Sequence, residues 1–155
     1  MNFKKLLLGI ALLFSCVLLA QEKGDFNGFA GVSYPLASGS DLGVTAGIEY
    51  VFADNISAAP SYTYYFVGSG ITSTQFDLDA RYYLGDESFN WFLTGGISIN
   101  SVSATGVSAS NTGFTGGAGA IYSLSDSMNL LAVVKYHSEI NGGGVLPMIG
   151  VSFGF

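Results

Sequence analysis

From residue 21 onward, apolar and polar residues alternate with a period of two, and clusters of Gly, Ser, Asn and Asp interrupt the alternation. The clearest stretch is Gln75 to Leu84. Phe76, Leu78, Ala80, Tyr82 and Leu84 point one way, and Gln75, Asp77, Asp79, Arg81 and Tyr83 point the other. Leu42 to Phe52 repeats the pattern, with Leu42, Val44, Ala46, Ile48, Tyr50 and Phe52 against Gly43, Thr45, Gly47, Glu49 and Val51. Six more segments, at 26–34, 56–67, 91–101, 112–122, 129–137 and 145–155, follow it with more noise. Each is about 9–12 residues, the length that a tilted transmembrane strand needs. No stretch after residue 20 carries a 3.6-residue apolar period of helical length. The pattern predicts an all-β chain of eight antiparallel strands in up-and-down order.

The connections alternate as well. Residues 35–41, 68–74, 102–111 and 138–144 read as long Gly- and Ser-rich loops, whereas 53–55, 85–90 and 123–128 are shorter turns. Long loops outside and short turns inside is the pattern of a bacterial outer-membrane barrel with both termini in the periplasm. Alternation alone would also suit a soluble barrel with its apolar face inward. Composition decides between them. Only 10% of residues are charged while 49% are hydrophobic, against about 25% charged in a soluble domain. The apolar face carries many Tyr, Phe, Ile and Leu, too bulky to fit inside eight strands. It therefore points to lipid, and the Gly, Ser, Thr and Asn of the other face imply a packed polar lumen. Tyr34, Tyr50, Phe52, Tyr82, Trp91, Tyr122, Tyr136 and Phe153 fall near strand ends, where aromatic girdles meet the membrane interface.

Residues 1–20 read as an export signal, with Lys4 and Lys5 ahead of the apolar run Leu6 to Leu19, and Ala20 before the cut. An alternative uses Cys16 as a lipidation site. Residues 21–155 are then the barrel domain. Loss of 1–20 removes the sole cysteine and leaves Lys23, Arg81 and Lys135 against 11 acidic residues. Such an acidic chain offers no patch for nucleic acid.

At the C-terminus, Gly150-Val151-Ser152-Phe153-Gly154-Phe155 resembles the terminal signal of bacterial outer-membrane barrels. With the export signal and the eight segments, the chain resembles the small outer-membrane β-barrel family of the OmpA/OmpX type. The resemblance implies that Gly150, Phe153 and Phe155 are read by the barrel assembly machinery. It also implies contact with outer-membrane lipid and lipopolysaccharide.

Inward parity collects Glu49, Asp77, Asp79, Arg81, Lys135 and His137 into one lumen. A charge there must be paired or hydrated, so Arg81 is expected to bridge to Glu49 or Asp79, and Lys135 to lie at the depth of Asp77. No metal or other cofactor is expected, because Asp77 and Asp79 sit beside Arg81 and fall short of the roughly 6–8 oxygens that Ca²⁺ takes. His137-Ser138-Glu139 resembles in composition the His, Ser and Glu of the lipid A deacylases, but no residue separates His137 from Ser138, and a strand turns Ser138 to the opposite face. Gly116-Gly117-Ala118-Gly119 sits in a strand and reads as close packing. Pro60 implies a bulge, and Pro147 a position above the bilayer near the loop after His137. Alternation continues on both sides of Thr105-Gly106, so the loop at 101–111 can prolong strands five and six into a hairpin whose edge accepts an extracellular partner.

The expected function is a small integral outer-membrane barrel without enzymatic activity, serving envelope integrity or surface interaction. A narrow passive pore is the alternative, and a lipid A-modifying hydrolase a distant third.

Overall fold

A computed structural model describes residues 24–37, 40–68, 70–84, 89–139 and 143–154. Eight strands run β1 (Phe26–Ser33), β2 (Gly43–Ala53), β3 (Ile56–Tyr65), β4 (Ile71–Tyr83), β5 (Phe89–Ala104), β6 (Val107–Ser123), β7 (Met128–His137) and β8 (Gly144–Gly154). Each pairs antiparallel with the next, and β1 pairs with β8 to close the barrel. Closure leaves no open seam along the wall, which lipid demands because it can satisfy no backbone group. The export segment expected at 1–20, and Phe155, lie outside the described residues.

The side-chain period of two turns one face outward. Ile48, Phe52, Tyr62, Phe76, Leu78, Leu93, Val134 and Ile149 are among the exposed apolar residues of that face. The aromatics expected at the interface point outward too, and Tyr50 packs against Phe26 and Phe52 with ring centroids 4.8 and 6.5 Å apart.

The ends of the barrel differ. At one, which we call the turn end, β2 joins β3 through Asp54-Asn55. At the other, the hairpin end, β5 and β6 run on as the two-stranded ribbon that the alternation about Thr105-Gly106 allows, past the boundaries expected for segments five and six. The loop expected at 102–111 is only the Thr105-Gly106 turn, with φ of 33° and 84°. Positive φ at both central residues is the geometry whose twist matches a two-residue hairpin. Ser101 and Ser103 meet their cross-strand partners Ser110 and Ser108 at 2.9 Å, so the small hydroxyl residues that read as loop are ladder pairs. Likewise β4 begins at Ile71, not 75, because Ile71 to Thr74 pair with Ser101 to Ala104.

Pro60 does not sit in a bulge. The β2–β3 register stays in frame from Gly43↔Tyr65 to Val51↔Ser57 and shifts only between Val51 and Ala53, beside the turn. The ladder pairs opposite Pro60 and Ala59 are missing, while Pro60 still pairs with Leu78 on β4. Lost bonds without a register change accommodate the missing N–H. Pro147 lies inside the β7–β8 ladder, opposite Val134, rather than beyond it. Its side toward β1 falls one residue past Ser33, where its carbonyl accepts from the Tyr34 N–H at 3.1 Å.

Candidate functional site: the lumen

The inner face divides into three zones along the barrel axis. Toward the turn end it is apolar, with Phe29, Ala59, Phe92, Leu131 and Val133 buried together and Tyr83, Ile121 and Met148 packed against them. This corrects the expectation of a uniformly polar lumen. Leu131 and Val133 share the inward parity of Lys135 and His137, but Leu130 to Val134 is apolar at both parities, so polarity does not mark the inward set there.

Two glycines make room for the rings. A Cβ on Gly47 would lie 2.3 Å from Cζ of Phe29, and one on Gly119 2.3 Å from Cζ of Phe92. Gly119, in the glycine-rich run of β6, therefore seats a lumen side chain as well as allowing strands to approach. Gly119→Val is expected to cost about 1–3 kcal/mol by overpacking. Combined with Phe92→Leu, the loss should fall short of the sum of the two single losses in denaturant titrations of the folded barrel.

Arg81 spans this layer. Its guanidinium carbon lies 4.7 Å from the ring centroid of Phe29 and 4.8 Å from that of Phe92, a cation held between two aromatic faces. Its Nη1 donates to Oε2 of Glu49 at 2.9 Å across the lumen. The other oxygen of Glu49, Oε1, accepts from the hydroxyls of Ser57 and Tyr83. Of the two partners expected for Arg81, Glu49 is the one it meets.

Asp79 pairs instead with Lys135, one layer toward the hairpin end. Nζ of Lys135 donates to Oδ2 of Asp77 and, at 2.8 Å, to Oδ2 of Asp79. Thr115 donates its hydroxyl to Asp79, and Gln75 Nε2 donates to both oxygens of Asp77 at 2.9 and 3.1 Å. Alongside, Ser33, Thr45 and Thr63 form a chain of hydroxyl bonds of 2.7 and 2.8 Å across three strands. The space between the two charge layers is a cavity of about 20 Å³ bordered by Arg81, Thr94 and Lys135. That is room for about one water molecule.

His137 is fully buried, with Nδ1 3.1 Å from Oε1 of Glu139 and 3.2 Å from Nε2 of Gln75, and Nε2 4.0 Å from Oδ2 of Asp77. Ser138, one residue past the end of β7, turns to β6. Its Oγ accepts from the Phe114 N–H at 2.8 Å, and its own N–H donates to the Phe114 carbonyl. Ser138 Oγ and Glu139 Oε2 both border the position a Cβ on Gly113 would take, at 2.4 and 2.3 Å. The expected separation of Ser138 onto the opposite face therefore does not hold past the end of β7. No hydrogen bond joins Ser138 to His137, and Ser138 ties the β6 edge instead. Among the described residues, no group of three His, Cys, Asp or Glu side chains is arranged to hold a metal ion. Gly150 and Phe153 lie on β8, the closing strand.

No family sequence model matches the chain, and no curated protein matches it in sequence. Solved structures do match. The N-terminal β-barrel domain of Pseudomonas aeruginosa OprF superposes with a TM-score of 0.68 at 18% identity, covering 86% of this chain and 100% of that one. The fold is that of the small outer-membrane β-barrels, the OmpA/OmpX type. Ail, the attachment invasion locus protein of Yersinia pestis, solved with the heparin analogue sucrose octasulfate, gives 0.63 at 17% identity over 86% and 99% of the two chains. The outer membrane enzyme PagL gives 0.52 at 18% identity over 83% and 98%. Small outer-membrane barrels with and without catalysis share this fold, so the wall alone does not assign a role.

Proposed function

We propose that the chain is an integral outer-membrane barrel with a closed lumen, termini in the periplasm and the β5–β6 ribbon outside the cell, serving envelope integrity or surface interaction rather than transport or catalysis. The observation that carries this reading is the pair of stacked charge layers, Glu49–Arg81 and Asp77/Asp79–Lys135, above an apolar base of Phe29, Phe92 and Leu131. A pore keeps its wall charges in water. Here they are spent on one another across the lumen, and the aromatic rings close what remains.

Surface interaction is supported by the ribbon. β6 pairs with β7 only from Thr115 onward, so from Val107 to Gly113 its outer edge has no strand partner among the described residues. Val107 stands 72% exposed at the tip. An edge of this kind accepts an extended segment of another protein. The polyanion in the Ail structure is an unsuitable guide to that partner, because the two basic residues among those described, Arg81 and Lys135, are both in the lumen. On the closing strand, Gly150 and Phe153, with Phe155, serve as the signal for the assembly machinery.

The hydrolase reading has no seated base for its serine, since Ser138 Oγ bonds the Phe114 N–H while His137 Nδ1 meets Glu139 and Gln75, with no hydrogen bond between His137 and Ser138. Incubation of the folded protein with lipopolysaccharide should release no fatty acid, and release that Ser138→Ala abolishes would overturn the non-enzymatic reading. Location is tested with single cysteines. A thiol at Val107 should react with an impermeant maleimide on intact cells and one at Asp54 should not, and the reverse labelling would invert the orientation.

A further inference from the structure

Above the His137 layer the lumen opens at the hairpin end into a vestibule of about 400 Å³, walled by Pro35, Asp41, Tyr65, Ile71, Asn111 and Glu139. That volume is within the roughly 300–1,000 Å³ usual for small-ligand sites. We propose that this vestibule binds a small organic cation, a primary ammonium on an apolar stem, with Glu139 as its anchoring carboxylate.

The charge inventory leads to a cation. Arg81 is already engaged by Glu49, and Lys135 by Asp77 and Asp79, so among the described residues Glu139 has only His137, on Oε1, and Asp41 has no base. Glu139 is no ordinary surface acid. Its side chain is 1% exposed, Oε1 faces His137 Nδ1, and Oε2 lies buried without a hydrogen-bond partner among the described residues. A buried carboxylate oxygen with an open acceptor position is costly unless a donor arrives. The adjoining wall has the space for this arrangement because residue 113 is glycine, where a Cβ would lie 2.3 Å from that same oxygen.

The lining selects the kind of cation. A hard metal ion needs several oxygen ligands at once, and no cluster of three candidate ligand side chains is present among the described residues. Pro35, Tyr65, Val67, Ile71 and Val102 give the vestibule an apolar side that suits an alkyl stem and not a hydration shell. An ammonium brings three donors. Glu139 can take one, and the side chains of Asn111 on β6 and Ser73 on β4, which also line the vestibule, offer acceptors for the others.

The test is a titration of the folded full-length mature barrel in detergent micelles with butylammonium, followed by amide chemical shifts. Saturable shifts confined to the neighbourhood of Ile71, Asn111 and Glu139 are expected. Glu139→Gln should weaken binding about tenfold or more, as loss of a charge-assisted bond does. Because that change also alters the His137 contact, Val102→Lys supplies a second reading. It leaves Glu139 in place and tethers a competing ammonium at the mouth, so it too should weaken binding. Asp126→Asn, on the connection between β6 and β7 at the turn end, should leave binding unchanged. Butanol, which has the stem without the charge, should not compete. Equal affinity in wild type, Glu139→Gln and Val102→Lys would overturn the proposal, as would competition by butanol. Saturation of the same amides by Ca²⁺ that butylammonium cannot displace would show a metal site instead.

Discussion

Replacing Arg81 by alanine is expected to cost the barrel about 3–5 kcal/mol, the usual penalty when one partner of a buried ion pair is removed. Three losses coincide in that substitution. Glu49, 1% exposed, keeps its charge in the lumen with only the Ser57 and Tyr83 hydroxyls to meet it. The cation between Phe29 and Phe92 disappears, and each such contact contributes about 0.5–2 kcal/mol when desolvated. A void opens between two rings that the backbone holds apart. Denaturant titration in detergent micelles, read by heat-dependent gel mobility, measures the loss. The cause can be separated from mere loss of volume. Arg81→Met in a Glu49→Gln background removes both charges while filling the gap, and it should recover most of the stability. If that double variant is no better than Arg81→Ala, the ion pair is not what holds this layer together.

Lys135→Met should be comparably damaging, for a different reason. Lys135 is the one cation touching both Asp77 and Asp79, which are 2% and 3% exposed and sit two residues apart on the same face of β4. Without it, two like charges share a closed space, hydrogen-bonded by Gln75 and Thr115 and with His137 Nε2 4.0 Å from Asp77. The expected loss is again about 3–5 kcal/mol at neutral pH. Asp79→Asn added to Lys135→Met should restore part of it, because one carboxylate with Gln75 as partner is easier to bury than two. Arg81→Ala and Lys135→Met lie in adjacent layers bordering one small cavity, so their effects are expected to couple rather than add.

The strand frame of the molecule is readable in its sequence because a wall between lipid and lumen forces strict alternation. Where alternation is strict, as in Gln75–Leu84, the inward set of Gln75, Asp77, Asp79, Arg81 and Tyr83 follows directly. The ribbon tip is harder. Ser101 to Ser110 consists of small residues that suit a loop as well as a ladder, so alternation about Thr105-Gly106 permits the hairpin, and the pairing of Ser101 with Ser110 and Ser103 with Ser108 selects it. Partner choice in the lumen is harder still. Glu49 and Arg81 belong to strands two apart, and whether they meet depends on the stagger of the closed barrel, which strand sequences do not encode locally. The aromatic clamp was legible in part. Phe29 shares parity with Asn27, Gly31 and Ser33, an odd place for a large ring, and Gly47 and Gly119 on inward parity are its and Phe92's complement. Strand parity gives Glu139 the face of His137, but it stands two positions past the end of β7, where parity does not show that its side chain is buried in the lumen.

Everything proposed about the role of the barrel turns on whether its lumen is shut. Planar-bilayer recording of the purified mature protein addresses this directly, with Arg81→Ala recorded in parallel. The unmodified barrel should show no steady open level, and Arg81→Ala, with the clamp between Phe29 and Phe92 emptied, should show brief openings or leak. A large, steady conductance in the unmodified protein that Arg81→Ala leaves unchanged would contradict the closed lumen and make the chain a pore.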